Sequence, residues 1–218
     1  MSANLARRSI AELIGTAFLL AAIVGSGIMG ERLAGGNLGI ALLANSIATG
    51  AALIALILAF GSISGAHFNP LVTLVFALRG DVAVVETPML VVAQLAGAML
   101  GVVLTNIMFD VAPISASRHI RTGSGQWLGE GLATFGLIVV IVLCAQFRPG
   151  VVAFAVGAYV TAAYWIVPST SFANPAVAIG RSMTDTFSGI RPQDVAAFVV
   201  AQVSGAIAAA GFLRWITK

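Results

Sequence analysis

An Asn-Pro pair occurs twice in this chain, each time after a long apolar run and before a short one: Asn69-Pro70 and Asn174-Pro175. No other feature constrains the fold as much. The residue ahead of a proline is pushed out of helical backbone. Proline itself suits the first helical turn, where its missing N–H would have no partner. Each pair therefore reads as the start of a short helix, with an asparagine fixed at its positive end. Two such starts at matching places in two halves of an apolar chain indicate broken helices that meet inside a membrane.

Composition supports the membrane. Of 218 residues, 59% are hydrophobic and only 9% are charged, more apolar surface than a water-soluble domain of this length can use. The apolar runs are long and do not alternate, so they read as helices and not as strands of a barrel. The single cysteine, Cys144, lies in one of them and reads as a packed residue. The net charge of +3 arises from few charges, mostly at the ends of the runs. That pattern suits membrane flanks and not nucleic acid. No metal cluster, nucleophile–base pair or phosphate-binding loop is legible, so the expectation is no enzyme and no cofactor.

Runs of about 20 residues, long enough to span a bilayer, lie near 9–29, 39–60, 86–109, 127–146, 151–168 and 194–215. The two Asn-Pro segments, 61–80 and 169–186, follow the second and fifth. The order is span, span, half-helix, span, twice over. Three spans per half is odd, so the halves must face opposite ways: an inverted repeat within one domain, 1–218. The halves are expected near 1–110 and 124–218, joined by a connector over 110–124. Glu12 and Thr16 match Glu130 and Thr134; Gln94, Gly97 and Ala98 match Gln202, Gly205 and Ala206. Glycines inside spans, among them Gly97, Gly157 and Gly205, read as points of close helix approach. Placing both termini in the cytoplasm puts Arg7, Arg8, Arg79, Arg148, Arg214 and Lys218 inside. It leaves Arg32, Arg118, Arg121, Arg181 and Arg191 outside, a small inward excess.

The stretch Ser62 to Leu74, with His67-Phe68-Asn69-Pro70-Leu71, resembles the first signature of the aquaporin or major intrinsic protein family. Ser171 to Ser182, with Asn174-Pro175-Ala176, resembles the second. The resemblance covers nearly the whole chain. It implies an all-α membrane protein: a right-handed bundle of six transmembrane helices and two re-entrant half-helices. It also implies a pore through each subunit, a homotetramer in the lipid bilayer, and passage of small neutral solutes.

Within that frame, Asn69 and Asn174 would offer amide hydrogens to a passing oxygen, and the two helix dipoles would repel cations. Glu12 and Glu130 are ionisable residues inside spans, where an unpartnered charge is costly. The resemblance implies that they hold the re-entrant loops by accepting backbone hydrogen bonds; a proton relay is the rival reading. His67 reads either as lining the inner half of the pore or as a hydrogen-bonded support beside the loop.

The family's outer constriction uses four positions, counted from the asparagines. Twenty before Asn69 is Thr49. Twelve and three before Asn174 are Ala162 and Ser171, and three after it is Val177, where most members resemble one another in carrying arginine. None of the four is charged, so the expected filter is wide and mildly polar, fit for glycerol, urea or undissociated arsenous acid as well as water. Arg181 lies one turn beyond Val177 on the same face. It reads either as guarding the outer vestibule or as a charge reaching the interface. Leu71 stands where the family usually has alanine and could alter pore width or only packing. The second motif also resembles that of bacterial aquaglyceroporins linked to arsenic resistance. A water-selective channel and a secondary transporter with broken helices are the competing functions.

Overall fold

Asparagines and glycines set the helix ends. In a computed structural model, which describes residues 4–217, Asn4 accepts a hydrogen bond from Arg7 N at 3.0 Å and starts α1 (Leu5–Leu33). Gly35 and Gly36 turn the chain, and Asn37 caps α2 (Leu38–Ser64) by accepting from Gly39 N and Ile40 N. Gly65 ends α2 at φ 93°. The half-helix α3 (Pro70–Arg79) stops at Gly80 and is followed by α4 (Thr87–Met108). The second half repeats this order. It has α5 (Ser124–Phe147), a single 3-10 turn (Pro149–Val151), α6 (Val152–Ile166), the half-helix α7 (Pro175–Arg181) and α8 (Pro192–Ile216). Lys218, counted above among the inward charges, lies outside the described residues.

Six of these helical segments are long and apolar enough to cross a membrane. The two short helices, α3 and α7, follow the second and fifth of them, as the Asn-Pro spacing predicts. Polarity is inverted relative to a soluble domain. Leucine, isoleucine and valine cover the outside (Leu33 is 77% and Val85 85% exposed), while Glu12, Gln94, Glu130 and Gln202 are fully buried. Lipid tails tolerate the apolar shell, and the polar groups must then find partners within the bundle.

Packing follows the repeat. α1 lies on α4 and α5 on α8, and α2 meets α6 across the halves. The closest approaches fall on glycines. A Cβ on Gly97 would come 2.2 Å from Leu13 O, and one on Gly205 would come 2.2 Å from Gly131 O. Gly50 and Gly157 likewise press on each other's carbonyls between α2 and α6. Without side chains at these points the backbones meet directly, the means by which helices associate in lipid. These contacts draw the helices around a central core that includes Leu20, Val24, Phe68, Phe172 and Phe198.

Candidate functional site

The segments leading into α3 and α7 are not helical, and both contain left-handed residues. Ala66 and Phe68 have φ near 50°, and so do Ser171 and Ala173, at the same places in the second half. Such backbone is uphill for a residue with a Cβ, by about 1–2 kcal/mol each, and must be held.

Two buried carboxylates hold it. Glu12, on α1, accepts from Ser64 Oγ (2.6 Å), His67 N (3.0 Å), Phe68 N (2.7 Å) and Gln94 Nε2 (2.8 Å). Glu130, on α5, accepts from Ser169 Oγ (2.6 Å), Phe172 N (2.9 Å), Ala173 N (2.9 Å) and Gln202 Nε2 (2.6 Å). Every partner in one set has its counterpart in the other. Four donors around one carboxylate match its acceptor capacity. Neither glutamate is among the residues that line the central cavity, and each holds a re-entrant loop from behind.

The half-helices meet at their N-termini. Asn69 Oδ1 accepts from Leu71 N (3.0 Å), and Asn174 Oδ1 accepts from Ala176 N (2.9 Å). Each side chain also donates across the junction. Asn69 Nδ2 bonds Ala173 O, and Asn174 Nδ2 bonds Phe68 O, both at 2.8 Å. One amide hydrogen of each asparagine is thus committed to the partner loop. The second remains for a ligand, and both asparagines line the cavity.

That cavity holds about 710 Å³. It runs from Arg8, Arg79, Asp81 and Glu86 at one end, past Asn69 and Asn174, to Thr49, Tyr164 and Arg181 at the other. His67 lines it on the Arg8 side. Its Nδ1 lies 3.1 Å from Thr73 Oγ1, which also accepts from Gln94 Nε2, and its ring stacks on Phe76. Thr49, Ser171 and Val177 line it on the Arg181 side. Pro70, Leu71, Pro175 and Ala176 are buried behind the wall. Leu71 packs with Ile138, Val142 and Leu213, so its departure from alanine bears on packing and not on the lumen.

One expected position is corrected. Ala162 is on the exposed face of α6 and does not reach the cavity. The wall is formed by the stripe Val152, Val156, Val160 and Tyr164, spaced one turn apart. Tyr164 Oη lies 3.1 Å from Thr49 Oγ1, so a phenol stands where a methyl was expected. Counting back from Asn174 passes through the irregular segment after Val167, and its path sets which face of α6 turns inward. The four-residue periodicity of the stripe, with a hydroxyl at its end, was the signal available. Arg181 is also more deeply placed than either reading allowed: it is 1% exposed, and its Nε donates to Ser188 O. Arg121, on the connector, braces the same region by donating to Gly189 O and Ser169 O.

A protein-family profile described as Major intrinsic protein matches residues 1–149. The chain belongs to the major intrinsic protein family. It is 51% identical over 215 residues to a protein named Aquaglyceroporin AqpS from Rhizobium meliloti, covering 99% of this chain and 92% of that one. It is 31% identical to a probable aquaporin AqpM of Archaeoglobus fulgidus, over the full length of both. Among solved structures it resembles the aquaglyceroporin from Plasmodium falciparum, with a TM-score of 0.79, 18% identity and 96% of each chain covered. At that identity the likeness speaks for the fold. As a member of this family the chain is a multi-pass membrane channel and not an enzyme.

Proposed function

We propose that this channel passes small uncharged solutes of the aquaglyceroporin kind: glycerol, urea, undissociated metalloid acids such as arsenous acid, and water. The observation that carries the reading is Val177 in the wall of the cavity that Ser171 and the hydroxyl pair of Thr49 and Tyr164 also line. An apolar wall with hydroxyls can desolvate a polyol and still meet its oxygens. The relative named an aquaglyceroporin, at 51% identity, supports it. The two half-helix dipoles and the free amide hydrogens of Asn69 and Asn174 favour oxygen and disfavour cations at mid-pore. We further read both termini as cytoplasmic, the host as the cell membrane, and the assembly as a homotetramer of subunits each built from repeats 1–110 and 124–218.

Stopped-flow light scattering on proteoliposomes tests this, comparing wild type with Val177→Arg. Wild type is expected to pass glycerol and arsenite as well as water, and the variant chiefly water. A wild type that passes water alone would favour a water-selective channel. Saturable uptake that follows an ion gradient would favour a coupled transporter.

A further inference from the structure

Position 177 carries no charge, yet the same cavity holds a cation one turn further along α7. Arg181 is 1% exposed, its Nε is committed to Ser188 O, and its guanidinium carbon sits 3.4 Å from the centre of the Phe172 ring. No carboxylate of the described residues pairs with it, and its two terminal nitrogens donate to no described residue. A buried guanidinium without a counter-ion is expensive to keep. Arg121 shows the alternative: it lies over the same ring at 5.1 Å, but its donors go to Gly189 O and Ser169 O. Arg121 is the brace, and Arg181 is left with donors to spare.

A second polar group in this wall also lacks a partner. Ser171 Oγ is buried without a hydrogen bond, and Ser171 lines the cavity. Its backbone is held at φ 52° by the re-entrant loop, which fixes where the side chain points. The corresponding positions of the first half carry different groups. There His67 stacks on Phe76, at the places that Phe172 and Arg181 take in the second half. His67 Nδ1 and Gln94 Nε2 both meet Thr73 Oγ1, so His67 is tied to a protein partner.

We propose that Arg181 and Ser171 form a solute-binding station in the outer half of the pore, specific for neutral solutes with neighbouring oxygens, such as a polyol or an undissociated oxyacid. The inference rests on the pore reading above. The planar guanidinium fork can meet two adjacent oxygens, and Ser171 Oγ can take a hydroxyl hydrogen from the same solute. Phe172 and Ser188 O position the fork. The charge also repels cations at this level, in series with the dipoles at Asn69 and Asn174. Val177 therefore leaves room in the wall without leaving the outer half uncharged.

Proteoliposomes of the full chain test this with water, glycerol and methylammonium as probes, for wild type, Arg181→Met, Arg181→Lys and Ser171→Ala. Arg181→Met is expected to raise methylammonium permeability by at least ~10-fold and to lower the glycerol-to-water ratio. Arg181→Lys is expected to keep methylammonium out yet lose the glycerol preference, since it keeps the charge and not the fork. Ser171→Ala removes no bond within the protein, so it should reconstitute normally and lower the glycerol-to-water ratio ~3–10-fold. If wild type passes glycerol and Ser171→Ala keeps its ratio, the station is wrong and the pore reading stands. An Arg181→Met pore that still excludes methylammonium and keeps its glycerol ratio overturns it equally. If wild type passes no glycerol, both readings fall together.

Discussion

The two halves of the pore wall share one scaffold and differ in chemistry. Each re-entrant loop hangs on one carboxylate through four matched donors, and each half-helix starts at an asparagine bonded across to the other loop. On the Arg8 side that scaffold carries His67 against Phe76, tied to Thr73 and Gln94. On the other side it carries Phe172 against Arg181, with Ser171 unpartnered. The parts that set backbone shape are duplicated, because both loops face the same problem: left-handed residues and open N–H groups at mid-membrane. The side chains that face solute are free to diverge, and here His67 is bonded to Thr73 while Ser171 Oγ and the terminal nitrogens of Arg181 have no described partner.

The comparison breaks first at the carboxylates. Glu12→Ala and Glu130→Ala each remove four hydrogen bonds to a buried acceptor. Each is expected to lower stability by about 3–5 kcal/mol and to abolish water permeability. Thermal melts in detergent with matched flux assays check this. If one variant is tolerated and the other is not, the two loops are not equivalent. Leu71→Ala comes next. It opens space beside Ile138, Val142 and Leu213 and is expected to cost about 2–4 kcal/mol while leaving the glycerol-to-water ratio unchanged. A changed ratio with normal stability would put Leu71 in the lumen.

Much of this was legible in the sequence, for physical reasons. The spans and half-helices follow from apolar runs and from what Asn-Pro does to local backbone, so they are read within a few residues of the observed ends. Glu12 and Glu130 stood out because a buried charge needs partners. What was not legible depends on the path of a loop or the rotation of a helix. Ala162 was reached by counting through the turn after α6, and that turn brings Tyr164 inward instead. The Phe172–Arg181 stack joins residues on either side of the α7 start and appears only once that helix is placed.

Smaller effects sharpen the contrast. Tyr164→Phe removes the hydroxyl that meets Thr49 and should shift the glycerol-to-water ratio by about 5-fold, or ~1 kcal/mol. No shift would place the constriction elsewhere along the wall. The smallest effect concerns the surface pair Arg118–Asp185. Bonds from Arg118 N and its guanidinium hold the Asp185 carboxyl below its ordinary value. A depressed pKa stabilises the fold above the unfolded carboxylate range and loses that contribution as pH falls through the folded value. Wild type should therefore lose slightly more stability than Asp185→Asn on acidification from neutral pH, as read by melting temperature. Parallel curves would assign the pair no part in holding the connector to the α7–α8 loop.

The most direct test of the central claim is the response of wild-type proteoliposomes to an inward glycerol gradient. A pore for neutral hydroxylated solutes predicts rapid shrinkage as water leaves, then reswelling much faster than in empty liposomes as glycerol enters. Rapid shrinkage followed by reswelling no faster than in empty liposomes would contradict it.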